Sequence, residues 1–168
     1  MKLPKRTKIL CYVVGAGILN LFIVAGCRSR PPYEGKTVAE LVKMLQSADP
    51  RVQTQGAFGL SRLGPEARSA VHALIDALRS EDTLVRQHAA LALTKIGPDA
   101  REAVSALTAA LDDPEWAVRR QAAHALGQIG SDAAPAVPAL TKLQQDPNRL
   151  VHQAALEALK RIRAGSGA

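Results

Sequence analysis

Aromatic residues make up only 3% of this 168-residue chain: two Phe, two Tyr and one Trp. So few rings leave no basic stretch interleaved with aromatics, the pattern that stacks nucleobases, and nucleic acid is not an expected partner. Cysteine is as scarce. Cys11 lies inside an apolar N-terminal run and Cys27 just after it. The rest of the chain therefore has no thiol for a disulfide, for thiolate catalysis or for sulfur-bound zinc. The sequence has no His-Glu-x-x-His, no His-Glu dipeptide and no Gly-x-Ser-x-Gly, and no two of His72, His88, His124 and His152 stand three or four apart on one helix. Nothing supplies the acid, base and oxyanion donors of an active site. No catalytic residue, metal site or cofactor is expected.

What the chain does have is a period. Val52, Val85, Val118 and Val151 are each 33 residues apart, as are Leu60, Leu93, Leu126 and Leu159, and Leu63, Ile96, Ile129 and Ile162. A second ladder runs Val38, Val71, Val104 and Val137 beside Leu41, Leu74, Leu107 and Leu140, and Gly64, Gly97 and Gly130 punctuate it. A fixed period of this size marks a stacked solenoid whose units bury their apolar faces only against their neighbours.

Each period holds two helical patterns. Val71, Leu74 and Leu78 fall on one helical face, and Val85, Ala89, Leu93 and Ile96 on another. The spacing predicts helix pairs at about 36–47/51–63, 68–79/84–96, 101–112/117–129 and 134–145/150–162. Asp49-Pro50, Glu81-Asp82, Asp113-Pro114 and Asp146-Pro147 stop the first helix and offer an N-cap to the second. The glycines suit a left-handed C-cap. Small pairs in the second helix, Gly56-Ala57, Ala89-Ala90 and Ala122-Ala123, allow close helix approach.

DTLVRQHAALALTKIG (82–97) and EWAVRRQAAHALGQIG (115–130), each preceded by a V-x-A-L helix, resemble the HEAT-repeat family, in particular the bacterial HEAT-like repeats named from phycobilisome lyases. The resemblance covers roughly residues 36–163. It implies an all-α fold, a short right-handed α-solenoid of about four helix pairs, with the second helices lining a concave surface. It also implies that the Arg of each Val-Arg pair reaches an inter-helix Asp. Arg86 and Arg119 match that pattern, whereas Gln53 and His152 depart from it.

The N-terminus reads as an address. Lys2, Lys5, Arg6 and Lys8 precede 17 uncharged residues, Ile9 to Ala25, which end in Val24-Ala25-Gly26-Cys27. Such a series describes a secretory signal, and its ending resembles the lipobox of bacterial lipoproteins. That resemblance implies cleavage before Cys27, with lipid on the Cys27 thiol and on the new amino terminus. An uncleaved membrane anchor is the alternative, although 17 residues with Asn20 among them are short for a span. The expected organisation is a signal peptide at 1–26, a lipidated Cys27 with a short linker at 27–35, a HEAT-like domain at 36–163 and a flexible tail at 164–168. Arg28 after the Cys points to an outer membrane, facing the periplasm, where the source has two membranes. Without the four signal positives the chain has 18 basic and 15 acidic side chains, a formal +3.

The charges are unevenly placed. The second helices carry Arg51, Arg62, Arg86, Lys95, Arg119, Arg120, Lys160 and Arg161 against one acid, Glu157. Some of these serve structure: Arg62, Lys95 and Arg161 complement the helix dipole in last turns, and Arg86 and Arg119 have the Asp partners above. Arg120 and Lys160 remain free to draw an acidic partner. Phe58, Leu91, His124 and Glu157 form one row away from the core stripe, in which Phe58 and Leu91 are either open apolar side chains or tucked under neighbours. Trp116 reads as a local staple. The candidate partner surface is therefore Phe58, Arg62, His88, Leu91, Lys95, Arg120, His124, Glu157 and Lys160. The expected function is a monomeric, membrane-anchored scaffold for an acidic protein partner in the bacterial envelope. A lyase- or hydroxylase-related enzyme and a purely structural envelope component are the alternatives.

Overall fold

The computed structural model describes residues 31–165. The expected signal peptide and Cys27 lie outside the described residues. At Thr37 the first helix begins with a capping box: the Thr37 hydroxyl accepts the Glu40 N–H at 3.3 Å, and the Glu40 carboxylate accepts the Thr37 N–H at 2.9 Å. The hydrogen bonds that the Thr37 N–H and hydroxyl donate to the Glu40 carboxylate hold it below its ordinary pKa. The described residues form eight α-helices: α1 (Val38–Leu45), α2 (Pro50–Leu63), α3 (Val71–Ala77), α4 (Thr83–Ile96), α5 (Val104–Ala109), α6 (Trp116–Ile129), α7 (Val137–Lys142) and α8 (Arg149–Gly165). No strand occurs among the described residues.

The even helices start within one residue of the expected positions, whereas the odd helices are shorter than expected. Each of α3, α5 and α7 is entered through a seven-residue 3₁₀ segment: Gly64–Ala70, Gly97–Ala103 and Gly130–Ala136. Pro65 and Pro98 lack the N–H that would continue the preceding helix. Gly64, Gly97 and Gly130 have φ of 58°, 74° and 80° with ψ of −128°, −134° and −137°. The expected left-handed helical cap is thus corrected. These glycines sit in the mirror image of the extended region, which a Cβ disfavours still more.

Asp49 and Asp82 act as N-caps, accepting the N–H of Arg51 at 2.8 Å and of Leu84 at 2.8 Å. The same role expected for Asp113 and Asp146 is corrected. They lie three residues upstream of the first helical residue, at the positions of Ser47 and Ser80, and accept the N–H of Glu115 at 2.9 Å and Asn148 at 2.8 Å.

The core is continuous from end to end. Leu41, Leu74, Leu107 and Leu140 from the odd helices meet Leu60, Leu93, Leu126 and Leu159 from the even ones, and all are buried. Each even helix packs on the next, α2 on α4 on α6 on α8. Ala57, Ala90 and Ala123 are buried here. Gly127 lets the α6 backbone approach α8 so closely that an added Cβ would stand 2.9 Å from the Ala158 Cα.

At both ends of the described residues, where a repeat packs on one side only, the burial departs from the period. Val52 and Leu63 are only partly buried, unlike Val85 and Ile96. Residues of the expected linker close over that end: Glu34 N–H donates to the Pro31 carbonyl at 2.9 Å, and Tyr33 packs against the first repeat beside Gly59. At the other end Leu156 takes the place of Ala57, Ala90 and Ala123 and is 45% exposed. Helix α8 continues through Ala164 and Gly165, the first two residues of the expected tail.

Candidate functional site

The arginines divide into two kinds. Arg86 Nε and Nη2 donate to the Asp113 carboxylate at 2.7 and 3.1 Å, and its Nη1 donates to the Ser80 and Glu81 carbonyls at 2.9 and 3.0 Å. Arg119 repeats this one period on, with Asp146 at 2.8 and 3.1 Å and the Asp113 and Pro114 carbonyls at 2.9 and 3.1 Å. Each guanidinium ties its own inter-helix turn to the next one. The Asp hydrogen bonds raise both Arg pKa values against the opposing effect of burial. Burial alone would raise the Asp146 carboxyl, but the hydrogen bonds from Arg119 and the Asn148 N–H, with the Arg119 charge, bring it below its ordinary value. These two arginines are structural.

Arg120 is the other kind. Its guanidinium lies over the Trp116 ring, 5.3 Å from the centroid. Its Nε is buried with no hydrogen-bond partner among the described residues. Trp116, the first residue of α6, is thus a platform for a cation. One turn on, His124 is half-buried; burial lowers its pKa, Glu157 opposes that, and Arg120 and Arg161 add to it. The four groups on α6 and α8 therefore share one neighbourhood.

Facing outward from the even helices, Phe58, Leu91 and His124 are half-buried and Glu157 is exposed. Phe58 and Leu91 are thus partly tucked in. Phe58 meets the Tyr33 ring edge-to-face at 5.1 Å and the His88 ring at 5.6 Å. His88 Nδ1–H donates to the Leu84 carbonyl at 2.7 Å, which fixes the ring. Arg62, Lys95 and Arg161 stand exposed in one row at the C-terminal ends of their helices. Lys160 occupies the position of Thr94 and Gly127, which face the following even helix. With no helix after α8 among the described residues, it stands at the end of the described stack, beside Glu157 and Arg161 in a shallow cleft.

Three features escape the sequence reading. Tyr33 joins the site from the supposed linker. Leu84 and Leu150, 33 residues apart and directly before the buried Val85 and Val151, are 53% and 44% exposed; the period itself carried that signal. Where Gln53 and Ser80 replace the Arg–Asp pair, a cleft of about 360 Å³ opens between the first two repeats. The histidines are scattered, and among the described residues no three His, Cys, Asp or Glu side chains gather to share a metal ion.

A family model of HEAT repeats matches residues 38–112 and 71–160. No curated protein matches the chain. Among solved structures, an engineered protein is 31% identical with a TM-score of 0.67, over 76% of this chain and 63% of that one. The complex of CpcE and CpcF of phycocyanin lyase from Nostoc sp. is similar at 30% identity and TM-score 0.65, over 81% of this chain and 57% of that one. Human deoxyhypusine hydroxylase is similar at 29% identity and TM-score 0.61, over 80% and 46%. The chain spans less than two thirds of the length of each.

Proposed function

We propose a binding role for this chain, which belongs to the HEAT-repeat family. It is a protein–protein interaction scaffold, tethered to a bacterial envelope membrane through an acylated Cys27, that presents the outward face of its even helices to an acidic partner. The observation that carries the binding role is Arg120, a half-buried cation held on Trp116 that pairs with no carboxylate among the described residues. Arg62, Lys95 and Arg161 add positive charge along the same face, and such a field raises the encounter rate with an acidic protein. The Val24-Ala25-Gly26-Cys27 ending supports the tether. Two acyl attachments hold a protein to a bilayer far better than the marginal binding of one.

The test is crosslinking in intact cells followed by mass spectrometry. Arg120→Glu combined with His124→Ala is expected to reduce partner capture, and capture is expected to fall as salt rises because screening sets in beyond about 8 Å at physiological ionic strength. Reversal of Lys43, Asp76 or Glu102 on the odd-helix side leaves capture intact. The opposite pattern, loss only after the odd-helix changes, would place the partner on the other surface. Cys27→Ser abolishes lipid labelling and leaves an unprocessed precursor; normal processing and membrane retention would refute the tether.

A further inference from the structure

The outward face of the even helices is not chemically uniform along the stack. At its N-terminal end Tyr33, Phe58 and His88 form an edge-to-face chain of rings. Beside them a cleft of about 480 Å³ is lined by Tyr33, Leu41, Phe58 and Leu63 and bordered by Lys36 and Arg62. Two repeats further on stands Arg120, with its unpartnered Nε and its Trp116 platform. In Arg86 and Arg119 the same edge of the guanidinium holds a carboxylate from the next repeat. Among the described residues no carboxylate pairs with Arg120, whose side chain is only half-buried, so its charge is left for a group outside the fold.

Resting on the scaffold reading, we propose that this face recognises an extended segment of a partner protein through two anchors: an aromatic side chain in the Tyr33–Phe58 cleft and a carboxylate on Arg120. The ring cluster selects an aromatic because edge-to-face packing adds to burial. The guanidinium selects a carboxylate because its planar donors match two oxygens. The stack sets their separation. Packed helices lie 8–10 Å apart, so α2 and α6 are roughly 16–20 Å apart. An extended chain rises about 3.3 Å per residue, which places the aromatic and the acid about five or six residues from each other. Between them the segment crosses Leu91, half-buried on α4, and takes an apolar or small residue there. Glu157 lies beyond Arg120 and repels a second acid on that side, which limits how far an acidic run extends.

The test uses the full-length protein in detergent and fluorescein-labelled ten-residue peptides read by polarisation. One peptide has a Trp and an Asp five residues apart, a second has the same residues in reverse order, and a third has the same composition with the pair two apart. The five-residue spacing in at least one chain direction is expected to bind at least tenfold tighter than the short spacing. Arg120→Gln is expected to remove the preference for Asp over Asn, and Phe58→Ala the preference for Trp over Ala, each leaving the other preference in place. Equal binding by all three peptides, still weakened by Arg120→Gln, would overturn the spacing while leaving the scaffold reading standing. Binding by none of them would overturn the two-anchor proposal, and partner crosslinking that survives the Arg120 and His124 changes would instead sink the scaffold reading. Displacement of every peptide by phosphatidylglycerol vesicles with no spacing preference would put a lipid surface on this face and overturn the proposal.

Discussion

Arg119 holds Asp146 across a repeat boundary through two hydrogen bonds, of 2.8 and 3.1 Å, between side chains that are 15% and 7% exposed. The pair lies 27 residues apart in sequence, so it forms only when the third and fourth repeats are stacked. It also closes the turn of its own repeat through the Asp113 and Pro114 carbonyls. One side chain thus couples local turn geometry to the interface, and Arg86 does the same one repeat earlier.

Removing one partner of such a pair strands the other charge out of water. Arg119→Ala or Asp146→Ala should therefore cost about 3–5 kcal/mol. Arg119→Lys should recover only part of that, since one ammonium cannot make the bidentate contact. Urea denaturation of the three variants checks this, and a loss below about 1 kcal/mol for both alanine variants would show the clip to be dispensable.

Between the first and second repeats the clip is absent. Gln53 reaches only its own turn, donating to the Ser47 carbonyl at 2.6 Å, and Ser80 stands where Asp113 and Asp146 stand later. The double variant Gln53→Arg/Ser80→Asp is expected to install a third clip and raise stability by about 0.5–2 kcal/mol. Either single change, leaving a charge without its partner, should not. Thermal melts of the singles and the double give the coupling directly.

Close helix contact makes a separate prediction. A Cβ at Gly127 would meet the Ala158 backbone rather than a flexible side chain, at 2.9 Å from Cα and 3.2 Å from Cβ. Gly127→Ala should cost about 1–3 kcal/mol by overpacking, although alanine is the better helix former. Leu93→Ala and Leu126→Ala, at fully buried positions, should cost about 2–5 kcal/mol each. Because each interface supports the next, loss at these sites should appear as one cooperative transition.

The pH dependence has a definite sign. Burial lowers the His124 pKa in the folded chain, so the unfolded chain binds more protons as pH falls through about 6.5. Stability is fully present above that range and declines below it. Asp146, also lowered, adds a second loss at more acid pH, as its carboxylate protonates below about 4. His124→Gln should flatten the first decline and leave the second. Stability unchanged between pH 7 and 5 in the unmodified protein would contradict the placement of His124.

The sequence alone determined the period, the helix pairs and the buried ladders, because these follow from side-chain spacing along one helix and one repeat. Leu60, Leu93, Leu126 and Leu159 could be placed in the core by counting, and the Arg86 and Arg119 pattern could be expected from the repeat. Tertiary structure decided whatever depends on a neighbour. Asp113 and Asp146 serve the preceding repeat's arginine rather than the helix start, since stacking brings that guanidinium within reach. Lys160 and Leu156 follow the repeat register yet are exposed, because no helix packs beyond α8 among the described residues. Tyr33 became part of the site only when its segment folded back over Gly59 and Phe58. Arg119 and Arg120 are adjacent and identical in the sequence. Only the 100° turn between successive helical residues, acting on a stacked array, gives one a carboxylate and leaves the other on an indole ring with an unpaired N–H.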